Sequence, residues 1–423
     1  METRAMQATM QAAIQGIGTP LYLFDEAEFH ARSTHLRSLL PADVELCYAI
    51  KANSFIIEQA ARDAERIEVC SPGELRICQV LNIPAEKLVI SGVYKDPSLM
   101  RELVTGWPGI ARYTIESTRQ FEVLEEEASK AGVRIPVLVR LASDSQFGVD
   151  GAEAKMLAKR CADSASMEFE GIQLFAGTQK TSTKRQRHEI AKADALIGEI
   201  ERECGVEVHE FEYGAGLPVL YFDADDEAQR KQDEMARNLA ELLGEMEFTG
   251  KVIVELGRAM AASCGTYATR IVDAKCSDGV NYAIVDGGKH QMVYYGNAMG
   301  MSQPPCTVLP GPGHDENDTA GIASTATAAE APAEWAICGS LCTTTDILAK
   351  KMPLGDIRIG DVLLFDKAGA YCMTEGVSLF LSRDLPAVVI AELDGALRLA
   401  RDHMDIYPAN TPGHSRLRAP ETN

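Results

Sequence analysis

Between residues 44 and 256 the chain repeats one pattern, a short apolar or β-branched run followed by a stretch with helical periodicity. The runs fall at 44–50, 67–70, 88–91, 113–115, 135–141, 169–175, 210–213 and 252–256. Seven helical stretches separate them, among them 117–131, 151–164, 182–203 and 225–245. Eight strands alternating with helices over roughly 210 residues predict a (β/α)8 barrel. In such a barrel the loops after the strands converge at one end, so Lys51, Gly177, Gly214 and Glu255, each at or just after a strand end, are expected to line one site.

Past Arg258 the alternation stops. Runs at 267–274, 282–286, 335–338, 362–365 and 387–390 are separated by Gly, Asp and Pro without long helical patterns, which predicts a mainly antiparallel β domain. The expected division is a barrel over 20–260, opening with a strand at 20–24 and a helix at 26–40. A β-sandwich or β-barrel domain follows over 261–402, with residues 1–19 packed on it. Residues 310–332, with little periodicity, read as a flexible insertion, and 403–423, with three prolines, as a loosely held tail.

Composition narrows the class. Sixty-two acidic against forty-one basic side chains leave a formal charge of -21, which argues against nucleic-acid or anionic-membrane partners, since phosphate binding needs a concentrated basic face. No stretch approaches eighteen apolar residues, and residues 1–16 lack a leader pattern, so a cytoplasmic protein is expected. Eleven cysteines scattered without a C-x-x-C pair fit reduced thiols, and eight histidines without ligand spacing give no reason to expect a metal.

Three features carry chemistry. Lys51, in Tyr48-Ala-Ile-Lys-Ala-Asn-Ser54, stands at the mouth of a buried strand, where desolvation lowers an amine's pKa and frees a nucleophilic lone pair; the plain alternative is a lysine reaching out to solvent. Gly214-Ala215-Gly216 lets backbone amides approach an oxyanion, although glycine pairs are common in tight turns. Glu255 and Arg258 end a strand as either a working pair or a simple rim salt bridge.

Together these segments resemble, in chain order, the fold-type III pyridoxal-phosphate enzymes, the group of ornithine, arginine and diaminopimelate decarboxylases and alanine racemase. The likeness continues through Ser71-Pro-Gly-Glu-Leu75, Gly177-Thr178-Gln179, Glu255-Leu-Gly-Arg258, Cys342 to Asp346 and Gly369-Ala-Tyr371, and so spans nearly the whole chain. The resemblance implies pyridoxal 5′-phosphate as cofactor, with Lys51 as its Schiff-base anchor. It implies a phosphate site from Gly214, Ala215, Gly216, Thr178, Arg258 and Tyr371, and Glu255 paired with the pyridine nitrogen. A carboxylate at that nitrogen strengthens the electron sink and favours loss of carbon dioxide, whereas a racemase-like enzyme carries an arginine there. The resemblance further implies a homodimer with shared sites, in which Cys342 of one subunit is the acid that reprotonates the intermediate and Asp346 contacts substrate. For an unknown protein an inert buried cysteine is the default reading.

Two departures stand out against that pattern. Thr343 takes the place of an acid that binds a distal substrate amine, and Phe175 the place of a histidine stacked on the cofactor. The combination of Gln146-Phe-Gly148, Phe175 to Lys180 and Thr374-Glu-Gly376 looks more like the branch that serves siderophore and antibiotic biosynthesis, whose members act on amino-acid units joined to citrate or a carrier protein. The expected activity is therefore pyridoxal-phosphate-dependent amino-acid decarboxylation. A racemase or epimerase, and a non-catalytic cofactor-binding protein, are the alternatives.

Overall fold

The computed structural model describes residues 2–143, 145–223, 225–295, 302–311 and 333–413. Helix α1 (Glu2–Ile17), strand β1 (Leu21–Asp25) and helix α2 (Glu26–Leu39) open the chain. Asp25 ends the strand and caps the helix, its carboxylate accepting from the amides of Ala27 and Glu28 at 2.8 and 3.1 Å.

Eight parallel strands then close into a barrel: β2 (Glu45–Ala49), β3 (Arg66–Val69), β4 (Leu88–Ile90), β5 (Arg112–Ile115), β6 (Ile135–Leu141), β7 (Met167–Phe175), β8 (Glu210–Gly214) and β9 (Lys251–Leu256). β9 closes on β2, with Tyr48 opposite Leu256. Helices α3 (Ile57–Asp63), α4 (Pro72–Val80), α5 (Pro97–Gly106), α6 (Thr118–Ala131), α7 (Gly151–Asp163), α8 (Thr183–Glu199) and α9 (Asp225–Gly244) lie between them. The expected strands match these to within two residues at either end. Strands covered on both faces must be nearly continuously apolar, and the covering helices must bury one stripe, so both periods are visible in sequence.

The N-terminal end of the barrel is closed by charge. Arg66 grips Glu210 with two nitrogens at 2.6 and 2.8 Å, and Arg112 adds a bond to the same carboxylate at 2.8 Å. All three start their strands or nearly so, and the paired geometry satisfies charges that burial would otherwise make costly. The opposite end is left for chemistry.

After the short helix α10 (Arg258–Ala261) the chain builds β10 (Gly265–Ser277), β11 (Val280–Val285), β12 (Cys306–Leu309), β13 (Glu334–Cys338), β14 (Ile347–Pro353), β15 (Val362–Phe365), β16 (Ala387–Ala391) and β17 (Leu397–Arg401). With β1 they form a nine-stranded sheet in the order β14-β13-β11-β10-β1-β16-β17, with β15 beside β10 and β12 beside β15. Six of its eight ladders are antiparallel, so it is the mainly antiparallel unit expected.

One placement is corrected. The strand expected to open the barrel unit at residue 20 lies instead in this sheet, Leu21 facing Ala268 of β10 and Ala387 of β16. A five-residue apolar run states that it is buried, not which sheet buries it. Helix α1 covers the same sheet, placing Met10, Ala13 and Ile14 against Leu21, Leu23, Ala268 and Val389.

Strands β12, β14 and β17 have no counterpart in the sequence reading. In β17 the hydrophobic Leu397 and Leu399 are the exposed positions, an edge pattern that hydrophobicity alone does not reveal. Of the expected insertion at 310–332, residues 312–332 lie outside the described residues. The first part of the tail is tied down rather than loose: Met404 bridges to Leu385, Ile406 is buried, and Asn410, in helix α11 (Tyr407–Asn410), donates to Leu379 O and Ser382 Oγ at 2.9 Å each. Residues 414–423 lie outside the described residues.

Candidate active site

β2 is fully buried over its last four residues and then tightens into a single 3-10 turn, Ile50–Ala52, which lifts Lys51 to the C-terminal mouth of the barrel. The second domain holds this turn. Tyr371 donates its amide to Ala52 O at 2.8 Å, and Asn53 Nδ2 donates to Gly369 O at 2.9 Å. The Lys51 Nζ stands 2.5 Å from Glu68 Oε2, 3.5 Å from Glu255 Oε1, 3.6 Å from Cys70 Sγ and 5.6 Å from the centre of the Phe175 ring. Its side chain keeps 35% exposure, while those of Glu68 and Glu255 keep 2% and 4%.

The electrostatics reverse one expectation. Burial works against the ammonium, as the sequence reading assumes, but the Glu68 and Glu255 carboxylates outweigh it and hold Lys51 well above the ordinary lysine range. Burial also pushes both carboxyls up. For Glu68 the adjacent Lys51 more than reverses this and the acid is held low; for Glu255 the Glu68 charge adds to burial and the acid is held high. The two carboxyls are coupled by a hydrogen bond that favours the charged form of Glu68 and the neutral form of Glu255. Deeper in the barrel, burial raises Glu212 to about 7, and its Oε1 accepts from Gln173 Nε2 at 2.6 Å.

Glu68 is absent from the sequence reading, which treats 67–70 as one apolar run. An acid inside a strand buried on both faces is the signal that could have found it. Glu74 proves to be a cap: Ser71 Oγ accepts from the Glu74 amide at 3.2 Å, and the Glu74 carboxylate accepts from the Cys70 amide at 2.7 Å. The proposed Glu255–Arg258 salt bridge does not form, since Glu255 turns to Lys51 and Arg258 elsewhere.

The loops after β7 and β8 pack into a cradle. Gly216 has φ +60°, and a Cβ there would stand 2.4 Å from Gly177 O; a Cβ on Gly214 would stand 2.2 Å from the Phe175 ring. Ala215 is buried and its carbonyl accepts from Gln186 at 3.1 Å, while Thr178 is exposed at the loop tip. Lys180 supports the cradle from behind, its amide bonding Gly216 O at 2.9 Å and its ammonium Gly214 O at 3.2 Å. That ammonium is balanced by Glu189 at 2.7 Å, which also accepts from Tyr213 at 2.7 Å.

Arg258 and Tyr371 do come together, the guanidinium 4.4 Å from the ring centre. Arg258 is buried, donates to Tyr221 Oη at 2.7 Å and lies 3.7 Å from Glu375. Its Nε is buried with no hydrogen-bond partner among the described residues, which leaves a donor for an absent acceptor. Tyr221 carries no sequence signal of this role.

The remaining three expected residues lie on the second domain. Cys342 is exposed on the loop between β13 and β14, and the Lys51 ammonium of its own chain bonds Glu68, Cys70 and Glu255 instead. Thr343 is half-buried, its hydroxyl 3.1 Å from that of Thr345. Asp346, expected to contact substrate, is buried, and its two oxygens accept from the amides of Lys289 and Leu341 at 2.8 Å each.

An amine beside a buried carboxyl, a glycine cradle that any side chain would fill, and a buried arginine with a free donor fit the aldehyde, pyridine and phosphate ends of pyridoxal phosphate.

Comparison with known proteins agrees. A family model described as the pyridoxal binding domain of pyridoxal-dependent decarboxylases matches residues 26–262. The chain is 25% identical over 410 residues to a diaminopimelate decarboxylase of Aquifex aeolicus, covering 93% of this chain and 91% of that one. It is 26% identical over 421 residues to an L-glutamyl-[BtrI acyl-carrier protein] decarboxylase of Niallia circulans, covering 93% and 94%. In fold it is similar to the diaminopimelate decarboxylase of Helicobacter pylori solved with L-lysine, with a TM-score of 0.78 and 19% identity over 94% of this chain and 98% of that one. With the match taking in the whole barrel and every strand end that carries the site, the chain belongs to the pyridoxal-dependent decarboxylase family and takes pyridoxal 5′-phosphate as its cofactor.

Proposed function

We propose that the protein removes the carboxyl group of an amino acid, or of an amino-acid unit joined to citrate or to a carrier protein, and that it works as a cytoplasmic homodimer with shared sites. The observation that carries the reading is Glu255, a buried carboxyl 3.5 Å from Lys51, where a racemase-like site would offer an arginine. When bound, the cofactor supplies an electron sink for the pair left on the substrate's α-carbon.

The chain's own residues do the rest. Lys51 holds the aldehyde end, the Gly214–Gly216 loop with Thr178, Arg258 and Tyr371 the phosphate end, and Phe175 covers the ring. Glu255, whose carboxyl is raised by burial and by the Glu68 charge, would give its proton to the pyridine nitrogen and remain beside it as the carboxylate that balances the ring's charge. Glu68 fixes the Lys51 amine by accepting its hydrogen bond and balances its charge. Cys342 of the partner chain gives its thiol proton to the α-carbon after carbon dioxide leaves. Its exposure, with Lys51 of its own chain bonded to Glu68, Cys70 and Glu255, supports a site completed across two subunits.

The unpaired state of all eleven cysteines supports a reducing compartment, and among the described residues no helix is long and apolar enough to cross a membrane. Thr343 and the likeness to a carrier-linked glutamyl decarboxylase support a substrate other than a simple diamine precursor, of the kind used in siderophore or antibiotic assembly.

The test is incubation of the loaded enzyme in heavy water with acidic, basic and citrate-linked amino acids, read by mass spectrometry. Loss of carbon dioxide with one deuterium gained at the α-carbon is the expected result. Deuterium exchange without loss of mass would replace the decarboxylase with a racemase.

A further inference from the structure

The loop that carries Cys342 is one wall of a cavity of about 600 Å³ lined by Leu341, Thr343, Thr345, Asp346, Lys289 and Glu375 among others, and charge is unevenly committed there. Asp346 is buried and both its oxygens are taken by backbone amides. Glu375 faces Arg258 at 3.7 Å. The two threonine hydroxyls bond each other, which leaves each able to reorient toward a ligand. The ammonium of Lys289 has no ion-pair or hydrogen-bond partner among the described residues. Both acids in the cavity are thus held by hydrogen bonds or an ion pair, whereas the Lys289 ammonium meets Asp346 only through its field.

The cavity is also built rather than incidental. One Asp346 oxygen accepts from the amide of Lys289 itself and the other from that of Leu341, so a single buried carboxylate ties the lysine to the residue before Cys342. A Cβ on Gly288 would stand 2.6 Å from Asp346, and one on Gly376 would stand 2.6 Å from His290 O, so the walls touch on two sides. Leu341 and Thr343, the two neighbours of Cys342 in the chain, both line this cavity with Lys289, so the cavity adjoins the thiol that the proposed site places at the α-carbon.

We infer that Lys289, with the hydroxyls of Thr343 and Thr345, recognises a carboxylate at the end of the substrate distant from the reacting carbon, and that Asp346 positions Lys289 instead of touching substrate. The substrate class is an amino acid or conjugate with an anionic distal end, as in glutamate, 2-aminoadipate or a citrate-linked unit. This rests on the role proposed for Cys342. A lysine amid hydroxyls suits a carboxylate and opposes a terminal ammonium, by attraction in one case and like-charge repulsion in the other.

The experiment compares glutamate and 2-aminoadipate with ornithine and lysine on the loaded enzyme, and repeats it with Lys289→Gln and Lys289→Arg. Binding is followed by the visible absorbance of the cofactor, and turnover by carbon dioxide release. The acid-ended compounds should bind at least about tenfold more tightly than the amine-ended ones; Lys289→Gln should remove about tenfold of that, with the loss in KM rather than kcat, and Lys289→Arg should restore most of it. A preference for the amine-ended pair, no discrimination between the classes, or an equal effect of Lys289→Gln on both overturns the assignment. If the acid-ended compounds bind as expected and release no carbon dioxide, the decarboxylase reading fails and this assignment stands. Release from ornithine or lysine that is indifferent to Lys289 has the opposite meaning.

Discussion

The Lys51 amine lies 1.0 Å closer to Glu68 than to Glu255, at 2.5 against 3.5 Å, so the lysine is paired with the neighbour on β3 and only secondarily with the residue that the sequence motif pairs with the cofactor. The charge of Glu68 therefore raises both the Lys51 ammonium and the Glu255 carboxyl.

Removing that charge should free the amine. Glu68 raises Lys51 and raises Glu255, so in Glu68→Gln both should titrate at lower pH than in the parent. The pH at which the cofactor-free protein captures pyridoxal phosphate, followed by absorbance, should fall by on the order of one unit. An unchanged profile would show that Glu68 does not set the state of Lys51.

Glu212 makes a prediction about stability. Its carboxyl is raised to about 7 by burial, against an ordinary value of 4.5, so between those values the folded chain holds a proton that the unfolded chain has lost. Stability from this site is therefore fully present below pH 4.5 and declines as pH rises through about 7. In Glu212→Gln, which keeps the acceptor for Gln173 and has no proton to lose, that decline should disappear. Urea unfolding at pH 5 and pH 7.5 should show the variant gaining on the parent by on the order of 3 kcal/mol across the interval.

Lys180 is a positioning residue for the glycine cradle. Lys180→Met removes the ammonium bond to Gly214 O but leaves Glu189 its contacts with Arg185 and Tyr213. Pyridoxal-phosphate affinity should weaken by roughly tenfold, the cost of about one charge-assisted hydrogen bond. Titration of the cofactor-free variant measures this, and unaltered affinity would assign Lys180 to folding alone.

Shared sites can be tested by mixing. Lys51→Ala and Cys342→Ala should each lack turnover as homodimers. Unfolded and refolded together in equal amounts, they should recover about a quarter of parental activity, since half the dimers are mixed and each mixed dimer holds one intact site of two. No recovery, with mixed dimers present by mass, would place Lys51 and Cys342 of one chain in one site.

The sequence by itself determined the strand and helix pattern of the barrel and the ends of its strands, because parallel strands buried on both faces must be apolar and their covering helices must show a 3.6-residue period. It determined the lysine, the glycine loop and the Glu-Leu-Gly-Arg stretch as well, since each keeps its residues within a few positions of one another. Only the tertiary structure decided what those residues meet. Glu68 reaches Lys51 across 17 positions and Glu255 across 204, Lys180 backs a loop 34 positions away, and Asp346 bonds Lys289 across 57. It also decided that β1 belongs to the second sheet, because a fully apolar strand satisfies its backbone equally well beside any open edge. Local sequence states how a residue is built into its own strand or loop; which charge lies 2.5 Å from an amine depends on how separate strands are laid side by side.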